Sequence, residues 1–516
     1  MFNSYIRGAV HKLIIAGFGL MSVLSLSACE KRKPYDIVIR NGRVLDGTGL
    51  PAQRIDIAIA GDKIVAMGRI AGNLAPKTID AAGRIVAPGF IDLRNHSAKN
   101  LARSHNARML LSQGITTVML NADGGPRQDI WPLAAFLFQF EKDRPAVNVA
   151  AMVSHNTLRH LAMRDGDYER PATNAEIELM EELLHKAFRD GAYGLSTDLG
   201  YSSSAYADGF ELERLIRHVR DHSGLVSAAP RDPVRKFWAS LEELYQLSRK
   251  TLQPILVGQL QRAPRWVWKL RQRWQKYLAD DSPLLLTLFP QTRWYGEILN
   301  LVPQNEFFNW REVSLSLYRL GGAHRIRIES MPTRPDAVGK TLLSFAKQIE
   351  LSPQRAFMEI VKAHGAVVSM QAIRRDQLAW ILLQRNVIPV TDGGLDVTIP
   401  NSSAGFGYLL EMVEKQSLSL PRMVHKLTGF AAGLLQLKNR GLLRPGYHAD
   451  ILIFDPTAVT VDHSENTLLP PVRGMEWILV NGEIVLEQGR WTPARPGQVL
   501  RYSHTSVREQ RDIVPN

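Results

Sequence analysis

The stretch VAPGFIDLRNHSAKN, residues 86–100, carries an apolar strand through Asp92 and Arg94 to His96. A strand that ends on an imidazole is how the mouth of a metal centre begins. Zinc takes imidazole, thiolate or carboxylate ligands and, in catalytic sites, keeps one position for water. Arg94, two residues before His96, cannot ligate a cation. The stretch therefore poses three alternatives: a metalloenzyme, an altered one, or the shell of one.

Positioning such a centre takes a scaffold. At 516 residues, 45% hydrophobic and 22% charged, the chain has globular composition and room for a large core with a satellite domain. YDIVIRNGRVLDGTG reads as two alternating strands turning at Asn41-Gly42, and WILVNGEIVLEQG turns the same way at Asn481-Gly482. Hairpins of this size do not fold alone. Residues 29–85 and 441–516 are therefore expected to pair into one small β-sandwich. Between them lie eight continuous apolar runs: GFID (89–92), TTVML (116–120), VNVAAMV (147–153), YGLSTD (193–198), LVSAAP (225–230), PILVGQL (254–260), LLLTLF (284–289) and NVIPVTD (386–392). Continuous rather than alternating apolarity marks strands buried on both faces. Helical patterns such as NAEIELMEELLHKAFRDG (174–191) separate several of them. The fold class is thus α/β, a (β/α)8 barrel over about 86–440, with a doubly wound sheet as the alternative. Residues 300–380 look like an insertion before the last strand.

A barrel carries its catalytic groups at the C-terminal ends of its strands. That rule selects His96, Asp123, Pro230, Gln259 and Asp392. Here VAPGFID, GITTV, HNTLR, GAYGLSTDLGY, VTDGG, RGLLRPGYHADILIFDP and VNGEIVLEQG resemble, in the same order over about 36–500, the N-acyl-D-amino-acid deacylase (D-aminoacylase) branch of the amidohydrolase superfamily. The resemblance implies a zinc-dependent barrel that hydrolyses an amide with a metal-activated water. It also implies a site, position by position. Where the family has His-x-His after the first strand, this chain has Arg94-Asn95-His96. Asp123 stands where the D-aminoacylases place a Cys, and Pro230 where they have the His of Tyr-Ala-Thr-His. The Ser-His of the sixth strand becomes Gly258-Gln259. Asp392 matches the catalytic Asp. The His-Pro-Arg that holds the substrate carboxylate becomes Ile399-Pro400-Asn401. The remnant metal set is therefore His96, Asp123 and Asp392, while Arg94, Pro230, Gln259 and Asn401 do not replace what the family has. A guanidinium at Arg94 would neutralise Asp123 and Asp392 in place of the metal.

Other histidines bear on the same question. His218 and His222 share a helical face with the i,i+4 spacing that metal sites use. Their helix precedes the fifth strand, however, and so ends at the bottom of the barrel, which reads as a surface pair. His155, just after the third strand, is on the mouth side, and a site rebuilt around it stays open. RAPRWVWKLRQRWQKYLAD (262–280) reads as an outer barrel helix, with membrane or partner docking as the alternative.

The N-terminus reads as an address. Arg7 and Lys12 lead into LIIAGFGLMSVLSL and then LSAC, residues 26–29. A charged start and a short apolar run mark residues 1–28 as a secretory signal, and LSAC resembles a bacterial lipobox with Cys29 the lipidated residue. Cys29 is the single cysteine, so lipidation leaves neither disulfide nor thiolate ligand. The expected location is the periplasmic side of the envelope, by Glu30 the outer membrane. The formal charge of +13 suits a solvated surface or an anionic lipid headgroup; no motif supports nucleic acid as a partner.

Two functions follow. One is a lipoprotein that keeps the deacylase shell, has lost the zinc site and binds an amide-type ligand or a protein partner. The other is an active metal-dependent hydrolase of C–N bonds, such as an N-acyl-amino-acid deacylase, with an altered single-metal site. Residue chemistry favours the first, because one His and two Asp bind zinc weakly.

Overall fold

The computed structural model describes residues 34–122, 124–125, 130–363, 365–395, 400–416 (backbone only at 400, 401 and 416), 418–462, 469 and 471–503. Cys29, Asp123 and the side chain of Asn401 lie outside the described residues.

The eight apolar runs are the eight strands of a barrel. They are Phe90–Asn95, Ile115–Leu120, Asn148–Ala151 resumed at Val153–Ser154, Gly194–Asp198, Leu225–Ala229, Ile255–Val257, Leu284–Leu288 and Val387–Pro389. Each pairs in parallel with its neighbour, and a parallel bridge from Asn95 to Gly393 closes the ring. Every residue of the second, fourth and fifth strands is buried, because side chains fill the lumen on one face and helices cover the other. Two of those helices matter below. Asn174–Arg189 starts on a capping box of Thr173 and Glu176, and Gly209–Asp221 starts where the Asp208 carboxylate accepts from the Glu211 amide at 2.8 Å.

Between the seventh and eighth strands the chain builds a separate layer. Strands Arg293–Glu297, Arg327–Ser330 and Val367–Gln371 form an antiparallel sheet with the last in the middle. Helices Trp310–Arg319, Leu342–Gln348 and Pro353–Lys362 pack with it around Trp294, Ile328, Phe345 and Phe357.

Both ends of the chain build the sandwich. One sheet uses strands within residues 37–80. The other interleaves Arg43–Val44, Gln53–Arg54 and Ile85–Pro88 with Ile451–Phe454, Met475–Val480, Glu483–Glu487 and Arg490–Trp491. Ile39, Ile57 and Ile79 from the first meet Val86, Ile453 and Trp477 from the second. Asn481-Gly482 joins two paired strands as expected. Asn41-Gly42 does not. Its flanking strands belong to different sheets, and a Cβ at Gly42 would sit 2.4 Å from Val86 Cγ2. The turn carries the chain over the sandwich edge instead of closing a hairpin.

The 262–280 segment is not one continuous helix. A 3-10 turn at Val267–Lys269 precedes a short helix, Arg271–Leu278. Trp268 and Trp274 stack at 5.1 Å and are fully buried, so the aromatic residues serve packing. Among the described residues no helix is long and apolar enough to cross a membrane.

Candidate active site

Arg94 enters the barrel from the first strand and is 1% exposed. Its Nε donates to Asp392 Oδ1 at 3.1 Å, and its Nη1 donates to Ala122 O at 3.1 Å and Ser227 Oγ at 3.2 Å. The guanidinium lies against Gly258, where a Cβ would stand 2.2 Å from Arg94 Cζ. The absence of a side chain at the sixth strand is thus what admits the arginine. Its Nη2 is buried with no hydrogen-bond partner among the described residues.

His96 Nε2 lies 3.3 Å from the same Asp392 Oδ1. Burial works to raise the Asp392 pKa, but Arg94 and His96 outweigh it and hold the carboxyl well below the usual range. Asp392 has a left-handed backbone, φ 45°. Asp92 fixes the turn before it, accepting from Thr391 N at 3.1 Å and Thr391 Oγ1 at 2.5 Å, so the first strand places the eighth strand's carboxylate.

Neither Pro230 nor Gln259 joins the pair. Pro230 is buried after the fifth strand. Gln259 sits in a left-handed turn, φ 57°, with its Oε1 buried and unpartnered among the described residues. His155 is not at the mouth chemistry either. Its Nε2 meets Glu211 Oε1 at 2.8 Å and its Nδ1 meets Thr197 Oγ1 at 3.1 Å, while Arg159 Nη1 donates to both Glu211 oxygens at 2.5 Å. All three side chains have zero exposure, a closed network with no position for an ion.

Two further residues, Arg262 and Asp198, reach the site. Arg262, after the sixth strand, is buried with its Nη2 3.8 Å from Asp198 Oδ1, at the end of the fourth. Burial lowers its pKa, and Arg94 adds to that while Asp198 and Asp392 oppose it. Its Nε and Nη2 have no hydrogen-bond partner among the described residues. The strand-end rule that selected Gln259 and Asp392 points equally to Asp198, the last residue of its apolar run.

The metal fit is partial. Ligands at zinc bond lengths of roughly 2.0–2.1 Å stand about 3.3 Å apart across a tetrahedral edge, which His96 Nε2 and Asp392 Oδ1 match. They are two donors where a catalytic zinc needs three, and Arg94 flanks the shared oxygen. Among the described residues, the group of three metal-capable side chains is elsewhere: His185, His218 and His222, whose ligand atoms lie within 4.8 Å of one another.

No protein-family model matches the chain. Along nearly its whole length it is similar to the D-aminoacylase of Alcaligenes xylosoxydans xylosoxydans, 26% identical over 91% of this chain and 98% of that one. It is 29% identical to the N-acyl-D-aspartate deacylase of the same organism, over 90% of this chain and 95% of that one. The N-acyl-D-glutamate deacylase of Bordetella bronchiseptica, solved with zinc and a phosphonate mimic of the tetrahedral intermediate, superposes with a TM-score of 0.77. It is 26% identical, over 90% of this chain and 99% of that one. Along nearly its whole length the chain is thus similar to the D-aminoacylase-like branch of the amidohydrolase superfamily. D-hydantoinase, 17% identical with a TM-score of 0.56 over 91% of this chain and 99% of that one, shares the fold. This D-aminoacylase-like chain thus combines the architecture of those relatives with two candidate ligands, His96 and Asp392, at the mouth among the described residues.

Proposed function

We propose that the protein hydrolyses an amide or related C–N bond, with an N-acyl-amino-acid type of substrate, at an altered centre that holds at most one metal ion through His96, Asp392 and Asp123. The observation that carries this reading is the 3.3 Å edge between His96 Nε2 and Asp392 Oδ1 at the barrel mouth. Two relatives that match along nearly the whole chain are a D-aminoacylase and an N-acyl-D-aspartate deacylase. A bound ion would polarise the scissile carbonyl and acidify water. The chain's own residues do the rest. Asp392, kept ionised by Arg94 and His96, presents its carboxylate as an anionic ligand and hydrogen-bond acceptor. Arg94 Nη2 and Arg262 Nε and Nη2 are buried donors without acceptors among the described residues. A substrate carboxylate or carbonyl oxygen would satisfy them, supplying the anchoring that Asn401 does not.

A second reading rests on Arg94 and Gly258. A guanidinium seated in a space that only glycine leaves open suits a centre whose positive charge is permanent, and such a protein would bind the amide-type ligand without turning it over. One experiment separates the two: zinc and manganese content of the chain and its His96→Ala variant, with a panel of N-acyl-D-amino acids assayed for free amine. About one metal ion per chain beyond any held by the His185, His218 and His222 cluster, lost in His96→Ala together with hydrolysis, establishes the hydrolase. No hydrolysis with or without added metal, and a melting temperature raised by an N-acyl-amino acid, establishes the binding protein. The tether is part of the same proposal: Cys29 would carry the lipid that holds the barrel at the periplasmic side of the envelope, and loss of palmitate labelling in Cys29→Ala tests it.

A further inference from the structure

We infer that His185, His218 and His222 form a site for one divalent transition-metal ion on the barrel's N-terminal face, where it cross-links two outer helices. The site is independent of the mouth and of the reaction proposed there. His185 lies one turn from the end of Asn174–Arg189, which precedes the fourth strand. His218 lies in the last turn of Gly209–Asp221, and His222 is its C-cap, before the fifth strand. Helices running back along a barrel end at the N-terminal ends of the strands, opposite the catalytic mouth. Sequence spacing paired His218 with His222; the packing of two helices supplies the third imidazole.

The geometry is that of ligands already oriented. His222 Nδ1 is 2.9 Å from the carbonyl of His218, which places the ring proton on Nδ1 and leaves Nε2 as the lone-pair nitrogen. Metal-ligating histidines are oriented by this kind of second hydrogen bond. That Nε2 accepts a 2.9 Å hydrogen bond from His185 Nδ1, which an ion would replace on release of the His185 proton. His218 Nε2 is buried with no hydrogen-bond partner among the described residues, although its ring is in contact with His222 at 4.6 Å. The ligand atoms of all three lie within 4.8 Å of one another, so small ring shifts would set them at the edges of about 3.3 Å that imidazoles roughly 2.0–2.1 Å from zinc make. The surrounding groups hold the cluster in place. Phe188 stacks on His222 at 4.6 Å and 9°, and Tyr502 Oη donates to the carbonyls of His222 and Ser223 at 3.1 and 3.0 Å. An all-imidazole set suits zinc, copper(II), nickel or cobalt and does not suit magnesium or calcium, which take oxygen. His185 is exposed, so the ion can enter from solvent and keep water in its remaining position.

Zinc titration of the metal-stripped full chain tests this, run in parallel on His96→Ala and His185→Ala. His185 is at the surface, so its removal leaves the fold intact. Zinc should still bind in His96→Ala, and adding His185→Ala to that variant should weaken the remaining binding by roughly tenfold or more and abolish the accompanying rise in melting temperature. Copper(II) bound in its place should show nitrogen hyperfine structure that loses one imidazole in His185→Ala. Zinc that persists in His185→Ala and disappears in His96→Ala belongs to the mouth; it overturns this inference and leaves the hydrolase reading standing. No zinc in His96→Ala, or equal affinity once His185→Ala is added to it, overturns it as well.

Discussion

At the residue scale, Arg94 and Gly258 are one feature written at two distant positions. The guanidinium is pinned by Asp392, Ala122 and Ser227, so it cannot swing aside from a new Cβ only 2.2 Å from its Cζ. Gly258→Ala should therefore cost about 1–3 kcal/mol of overpacking, measured by urea unfolding. In an Arg94→Ala background the same change should cost much less, and a double-mutant cycle reads the coupling directly. Additive effects would show that the two positions do not share space. Arg94→His tests the chemistry from the other side. It removes the competing cation and restores an imidazole two residues from His96, so zinc bound at the mouth should rise relative to wild type in a His185→Ala background.

At the element scale, the buried Glu211 network joins the helix His155–Ala162, after the third strand, to Gly209–Asp221, before the fifth. Burial alone would raise the Glu211 pKa; the hydrogen bond and charge of His155, with Arg159, reverse that and hold it at about 2 against the usual 4.5. A depressed carboxyl stabilises the fold fully above pH 4.5, and the contribution is lost as pH falls from 4.5 towards 2. The shift corresponds to roughly 3 kcal/mol. Denaturant unfolding between pH 6 and 3 should show this acid limb, and Glu211→Gln should flatten it. The same substitution should cost about 3–5 kcal/mol at neutral pH, because it leaves Arg159 buried without its counter-charge.

At the scale of the whole molecule, the sandwich is attached to the barrel floor by a buried polar knot around Asp450. Its carboxylate accepts from Arg440 Nη1 at 2.5 Å, Asn148 Nδ2 at 3.2 Å and the Asn481 amide at 2.8 Å. Asn148 opens the third barrel strand, and Asn481 is the hairpin turn of the sandwich, donating to Asn148 Oδ1 at 2.8 Å. Asp450→Ala should remove about 3–5 kcal/mol and split a single calorimetric transition into separate sandwich and barrel melts. One cooperative transition at reduced temperature would show that apolar packing, not this knot, couples the two.

Much of this architecture was legible along the chain, because a parallel strand covered on both faces must be apolar throughout. The eight runs from GFID to NVIPVTD therefore read as a barrel without any contact information. His96, Arg94 and Asp392 were legible as well, since strand ends define the mouth and the order of motifs defines the family pattern. What the chain could not show depends on neighbours remote in sequence. That Gly258 makes the room for Arg94 requires the first and sixth strands to face each other across the lumen. That His155 is spent on Glu211 requires a partner 56 residues away. Arg262 became a site residue only when its segment broke into short turns at the sixth strand's end. The third imidazole beside His218 and His222 came from a different helix. Sequence by itself determined which side chains the barrel has; tertiary packing alone decided which of them meet, because a hydrogen bond or a metal site depends on distances that no local periodicity encodes.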